Sequence, residues 1–266
     1  MFEVIGERIN TSRKKVQAAV ADRDAAYIID DVKQQQAAGA DYIDVNAGAR
    51  IGHEAADMKW LLDTIQPVVT VPLALDSPDP AILETAYAMT DQPPMINSIS
   101  LEKDRFDTMM PFLDGKKCKV IALCMDDTGM PASADDIVRR AATLVQALDG
   151  IGIPTSEIYI DPLVQPISTD TGKGVMVLDA VRAIKNKFSE VHITGGLSNI
   201  SYGLPQRHII NRTFVTLMMD AGMDSAIIDP LDQKIMGAIR TADMLLGHDD
   251  FCMNFLKGVR SGQITS

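Results

Sequence analysis

The chain has 266 residues, 46% hydrophobic and 23% charged, an ordinary globular composition and length enough for one large core. Its 25 Lys and Arg stand against 36 Asp and Glu, and a net charge of −11 argues against a nucleic-acid partner, which needs basic side chains to displace counterions from phosphates. No apolar run approaches the ~18 residues of a membrane helix, and the first residues include Glu3 and Glu7 where a basic-then-apolar leader would stand, so the expectation is a cytoplasmic protein with no membrane partner.

A short aliphatic strand followed by an amphipathic helix recurs from end to end. Phe2 to Ile5 reads as a strand leading into the loop GERIN, then a helix through Ala25 to Ala38 that stops at Gly39. Tyr42 to Val45 leads into DVNAG and a helix from Glu54 to Gln66. Val71 to Leu75 leads into Asp76-Ser77-Pro78 and a helix from Pro80 to Met89. Met95-Ile96 leads into Asn97-Ser98 and a helix from Glu102 to Leu113. Lys119 to Cys124 is the most apolar strand, followed by MDDTGMP and a helix from Ala134 to Leu148. Glu157 to Ile160 precedes Asp161-Pro162 and a helix from Val175 to Phe188. Val191 to Thr194 runs into a glycine turn and polar loop, GGLSNIS, before a helix from Arg207 to Ala221. Ser225 to Ile228 and a helix from Lys234 to Leu246 complete about eight units.

Eight such units in this length predict an α/β fold of the (β/α)8 TIM-barrel type, one domain over 1–266. A doubly wound open sheet permits the same alternation, but GERIN lacks the glycine fingerprint of a dinucleotide site and no Walker loop is present. Cys118, Cys124 and Cys252 have no metal-ligand spacing and read as buried, reduced thiols.

Nearly every strand ends in a carboxylate or side-chain amide: Glu7 and Asn10, Asp44 and Asn46, Asp76, Asn97, Asp126, Asp161, Asn199 and Asp229. In a barrel those ends share one rim. Any single Asp, Asn or Ser there is also a natural turn or helix-cap residue, which is the favoured reading for Asn10 and Ser77 and an even one for Asp126 and Asp229. A mouth rich in carboxylates and amides, and poor in His, Lys and Cys, suits a flat, neutral heterocycle. A carboxylate accepts from adjacent ring N–H and amino groups, and an asparagine offers one donor and one acceptor. The 2-amino-4-oxopyrimidine edge of a pterin or of guanine has that pattern, and these residues do not separate the two.

Seven stretches in register, GERIN, DVNAG, LDS, INSIS, YIDPL, GGLSNIS and INRTF, give the chain a resemblance to the methyltetrahydrofolate:corrinoid-protein methyltransferases. That family uses a pterin-binding barrel related to dihydropteroate synthase and to the folate module of methionine synthase. The resemblance implies transfer of a methyl group, in either direction, between N5 of tetrahydrofolate and the cobalt of a separate corrinoid protein. It implies a homodimer, with tetrahydrofolate or 5-methyltetrahydrofolate as substrate and no metal held by this chain. By the same resemblance Asp76, Asn97 and Asp161 hold the pterin edge, with Glu7 and Asn46 in the same mouth. Asn199 stands beside N5 and Asp44 belongs to its water network, while Gly196 and Ser198 line the loop under the ring. Arg207 is a candidate for the folate tail or the corrinoid partner, and equally a solvated residue at a helix start.

Asn199 would then polarise N5 as charge develops there, with proton delivery through water and Asp44, because no general acid of suitable basicity is evident. The segment Glu190-Val191-His192-Ile193-Thr194-Gly195 is close to a cobalt-ligating histidine motif but lies on a predicted strand, so His192 reads as a strand residue. A dihydropteroate synthase looks for a lysine after the seventh strand and a basic pair after the eighth, where this chain has Asn199 and Asp229-Pro230. A non-catalytic pterin-binding protein is the other alternative.

Overall fold

The computed structural model describes residues 2–264; the two ends of the expected 1–266 span, residue 1 and residues 265–266, lie outside them. Eight parallel strands form one sheet: β1 (Glu3–Asn10), β2 (Tyr42–Asn46), β3 (Leu73–Asp76), β4 (Met95–Leu101), β5 (Lys119–Asp126), β6 (Ile158–Asp161), β7 (His192–Ile193) and β8 (Ser225–Ile228). Each strand neighbours the next in sequence, and β1 pairs with both β2 and β8. That cyclic order makes a (β/α)8 barrel and excludes the open doubly wound sheet, in which strand order reverses at the middle. The seam between β7 and β8 closes just past the end of β7, where Ile227 N–H donates to the Gly195 carbonyl at 3.2 Å.

Helices α1 (Lys14–Asp22), α2 (Ala25–Ala38), α3 (Glu54–Ile65), α4 (Pro80–Tyr87), α5 (Lys103–Leu113), α6 (Ala134–Gly150), α7 (Lys173–Lys187), α8 (Arg207–Ala221) and α9 (Gln233–Leu245) surround the sheet, and α10 (Met253–Arg260) packs beside α9. Their ends follow local chemistry. Asp24, Asp79, Ser133 and Asp232 accept from first-turn N–H groups of α2, α4, α6 and α9, and α2 stops at Gly39, whose φ of 103° a side chain would disfavour. The helices bury one continuous apolar layer against the outside of the sheet, including Ile28, Leu61, Leu62, Leu83, Val145 and Ile184. A separate inner layer fills the barrel: Ile5, Tyr42, Ala74, Met95, Ile121 and Tyr159, with Leu123 and Ile227 against it. Among the described residues no helix is long and apolar enough to cross a membrane.

Several sequence expectations are corrected. GERIN is not a loop: β1 runs through it to Asn10, and β4 likewise runs through INSIS, because these polar residues alternate with the apolar face that the strand needs. Helices α1 and α10 were not anticipated, and β7 is only two residues long. Cys118 and Cys124 are buried free thiols, but Cys252 is exposed beyond α9. His192 is on β7, stacked on Tyr159 with ring centroids 4.5 Å apart and bonded to Asp224 at 3.1 Å, within the fold's packing.

Arg140 is the largest fully buried side chain and braces the loop after β5. It donates to the Gly129 carbonyl at 2.6 Å, to Thr128 Oγ1 at 3.0 Å and to Asp136 at 3.0 Å, and lies 3.2 Å from Asp126. Asp126 is thereby a turn residue, also accepting from Thr128 N–H. Arg140→Ala is expected to destabilise the fold by about 3 kcal/mol, since it strips partners from several groups at once. Arg140→Lys recovers only part of this because an ammonium lacks the planar fork. Urea midpoints at unchanged m-value check both.

Candidate functional site

A strand shows alternate residues to opposite faces, so each inner-layer residue is followed two positions later by another inward side chain, nearer the C-terminal mouth. Above Ile5, Tyr42, Ala74, Met95, Ile121 and Tyr159 therefore come Glu7, Asp44, Asp76, Asn97, Leu123 and Asp161. Five of these six are the polar residues that the sequence singles out. Two amide–carboxylate bonds tie the layer: Asn97 Nδ2 donates to Asp44 Oδ1 at 3.3 Å, and Asn46 Nδ2, from the end of β2, donates to Asp76 Oδ2 at 2.7 Å. Asp161 Oδ1 accepts from Leu163 N–H at 2.8 Å.

Two bulges set this layer. Gly6 pairs with Ile43 and Ile9 with Val45, so Glu7 and Arg8 together oppose Asp44. Glu7 stays on the inner face with Ile5 and Arg8 points outward to Asp31 of α2, at 2.8 Å, while the extra residue turns Ile9 to the outer apolar layer beside Val45. In β4, Asn97 pairs with Ile121 and Ile99 with Ala122, leaving Ser98 as the additional residue beside Asn97.

The layer is acidic and short of counterions. Burial holds Asp44 well above the ordinary carboxylate range, with the charge of Asp76 next and the Asn97 amide opposing. Burial also raises Asp76, against the Asn46 amide and the charge of Arg105. It pushes Asp161 up to about 6, against the Leu163 N–H. Glu7 is pushed up to about 7, by burial first, with Arg13 opposing and Asp229 adding. Low-dielectric surroundings penalise the charged form of each group, and a neighbouring carboxylate deepens that penalty. Such a ring takes N–H donors from a ligand readily, because each donor restores a charge that burial suppresses.

The loop after β7 completes the mouth. Gly195, with φ of 149°, brings its backbone against Asp161, where a Cβ would lie 2.8 Å from Oδ1. Gly196 then opens a single 3-10 turn, Leu197–Ser201, on which Ser198 and Asn199 are exposed. Arg207, at the start of α8, folds back onto this turn: its Nη2 donates to the Ser198 carbonyl at 2.7 Å and its Nε to Ser201 Oγ at 3.0 Å. Ser201 Oγ in turn donates to Asn211 Oδ1 at 2.7 Å.

The remaining rim residues have local partners. Asn10 Oδ1 accepts from Ser12 N–H and Ser77 Oγ from Asp79 N–H, as turn residues do. Asp229 is held by Arg8 at 2.8 Å and Arg13 at 3.3 Å. Two contributors were missed in the sequence. Arg105 of α5 donates to the Ser77, Pro78 and Ser98 carbonyls, bracing the ends of β3 and β4 behind Asp76 and Asn97. Glu54 of α3 accepts from Ser77 Oγ at 2.6 Å. Nothing in their helices distinguishes either residue from a surface charge.

Two ligand-free measurements follow. Glu7 binds its proton more tightly folded than unfolded, so the stability it contributes is complete below pH 4.5 and is lost as pH rises through about 7. The change is on the order of 3 kcal/mol, and Glu7→Gln should flatten this part of the profile of urea midpoints between pH 5 and 8. Gly195→Ala should destabilise the fold by about 1–3 kcal/mol through strain at that φ and the clash with Asp161, read as a lowered thermal midpoint.

With the geometry in place, three comparisons bear on identity. Residues 6–229 match the model of the family described as "Pterin binding enzyme". The chain is 36% identical over 263 residues to a methylcorrinoid:tetrahydrofolate methyltransferase of Eubacterium limosum, covering 98% of this chain and 97% of that protein. It is 32% identical to a methionine synthase of Mycobacterium tuberculosis over 85% of this chain but 20% of the relative. Among solved structures, a dihydropteroate synthase from Xanthomonas albilineans in complex with 7,8-dihydropteroate superposes with a TM-score of 0.69 at 17% identity, over 92% of each chain, a likeness of fold. The chain belongs to the pterin-binding enzyme family.

Proposed function

We propose that this protein transfers a methyl group between the cobalt of a corrinoid carried on a separate protein and N5 of tetrahydrofolate, and that it works from methylcorrinoid to tetrahydrofolate. The observation that carries this reading is the part-buried ring of Asp44, Asn97, Asp76 and Asn46, two amide–carboxylate pairs in the layer that also holds Asp161, with an exposed asparagine on the loop after β7. Its donors and acceptors suit the amino-oxo edge of a pterin, and the length-for-length similarity to the Eubacterium limosum protein supplies the reaction class. The barrel acts as one domain, as a cytoplasmic homodimer.

In this reading Asp76, Asn97 and Asp161 hold the pterin edge, and Asn46 fixes the Asp76 carboxylate. Ring N–H groups given to these carboxylates relieve burial that otherwise favours protonation, so folate binding draws part of its free energy from the strained electrostatics of the empty ring. Gly196 and Ser198 lie under the ring. Asn199 has no hydrogen-bonded side-chain partner among the described residues, so its amide is free to turn toward N5. A neutral amide can donate to the N5 lone pair or accept from N5–H, and it accelerates transfer to the extent that its bond strengthens as charge changes at that nitrogen. Arg207 acts through the turn: its guanidinium bonds the Ser198 carbonyl before Asn199 and the Ser201 hydroxyl after it.

Methylcobalamin mixed with tetrahydrofolate and wild-type protein should lose its methyl-cobalt absorbance and yield 5-methyltetrahydrofolate. A protein that binds folate and leaves the spectrum unchanged is a carrier, and the proposal fails. Asn199→Ala should slow transfer about 100-fold in single turnovers, with the dissociation constant for folate changed only severalfold. An unchanged rate with folate bound removes Asn199 from the chemistry.

A further inference from the structure

The proposed reaction moves a proton as well as a methyl group. When N5 of tetrahydrofolate takes the methyl, its lone pair forms the N–C bond, the Co–C electron pair stays with cobalt and the N5 proton leaves. In the opposite sense N5 gains a proton as the N–C bond breaks. Asn199 can relay a hydrogen bond but, as a neutral amide, cannot hold that proton.

The carboxylates of the mouth are not equivalent. Asp44 is fully buried and bonded to Asn97, Asp76 is bonded to Asn46 and lies in the field of Arg105, and Asp161 accepts the Leu163 N–H. The Glu7 carboxyl makes no hydrogen bond to a described residue. It is carried on the inner face by the alternation from Ile5, and the bulge in β1 sets it opposite Asp44. The charged groups that face it from neighbouring elements are Asp44 of β2, Arg13 before α1 and Asp229 after β8. Asp229 pairs with Arg13 at 3.3 Å and with Arg8 at 2.8 Å, so the cation facing Glu7 is already engaged and, among the described residues, Glu7 has no ion pair of its own. Resting on the methyl-transfer reading, we infer that Glu7, paired across the bulge with Asp44, holds the proton exchanged with N5. Water in the mouth carries it between the Glu7 carboxyl and the nitrogen. Burial pushes Glu7 up to about 7, where a carboxyl can both take and return a proton at neutral pH.

Single-turnover transfer should be followed from pH 5.5 to 8.5 in both directions, with folate affinity measured alongside. For wild type, transfer to tetrahydrofolate should rise with pH through a midpoint near 7, and transfer from 5-methyltetrahydrofolate to reduced cobalamin should fall through the same midpoint. Glu7→Gln should lose that titration and slow transfer about 100-fold or more, with folate affinity within about threefold. Glu7→Asp should keep a titration with a displaced midpoint, and it carries the test if the glutamine variant does not fold. A Glu7→Gln protein with the wild-type rate and pH profile overturns the inference. So does one that simply fails to bind folate, which would make Glu7 a ring-holding residue, and so does an unmoved midpoint in Glu7→Asp. A wild type that binds folate and transfers no methyl group instead sinks the functional reading beneath it.

Discussion

Side-chain alternation along a parallel strand governs this molecule. Because a residue and its second neighbour point the same way, the aliphatic and tyrosine layer that fills the barrel fixes which side chains can stand above it. Once Ile5, Tyr42, Ala74, Met95 and Tyr159 are buried at the centre, Glu7, Asp44, Asp76, Asn97 and Asp161 have no choice but to converge. A slip of one residue in β2 would turn Asp44 out toward the helices and Ile43 or Val45 into the mouth. Packing in the middle of the barrel is therefore also what specifies the chemistry at its end.

The two bulges refine that rule. A regular β1 would carry Ile9 into the mouth after Glu7, whereas the extra residue turns Ile9 to the outer apolar layer, with Arg8 on Asp31 of α2 and Glu7 inside. The fold thus sorts charges across a single strand. Cations are drawn to the outer side and the loops, where Asp31 and Asp229 receive them, and the inner acids are left to one another and to amides. Four carboxylates held in this way are unfavourable for the empty protein and favourable for a ligand that brings its own N–H groups. The site is in this sense complementary to a molecule by what it lacks.

Much of this was legible in the sequence. Strand–helix alternation gave the barrel, and polar residues coming directly off aliphatic strands gave the rim, because both depend on patterns a few residues long. The turn chemistry of Asn10 and Ser77 was also readable, since those side chains bond two residues along the chain. What escaped notice depends on register. That Glu7 and Asn97 lie within strands follows from bulges, which need the partner strand to be visible. Arg105 and Arg207 are ordinary helix-start residues in the sequence and acquire their bracing roles only from loops up to 28 residues away. The basicity of Glu7 was equally hidden, because it arises from burial among groups contributed by β2, the segment before α1 and the end of β8.

The brevity of β7 has a bearing on biosynthesis. This strand pairs with β6 over two residues, the Thr194 N–H adds a bond to the Ile160 carbonyl, and the backbone bond from Ile227 to Gly195 closes the wall on the β8 side. The turn bearing Asn199 is also held by Ile167, whose N–H donates to the Ile200 carbonyl at 3.1 Å, and by Arg207, but the wall beside it is complete only after the final strand has arrived. A nascent polypeptide that has emerged from the ribosome as far as residue 200 already contains Glu7, Asp44, Asp76 and Asp161, yet lacks Arg207 and Ile227, which hold the segment around Asn199. Translation and the ordering of this mouth therefore finish together.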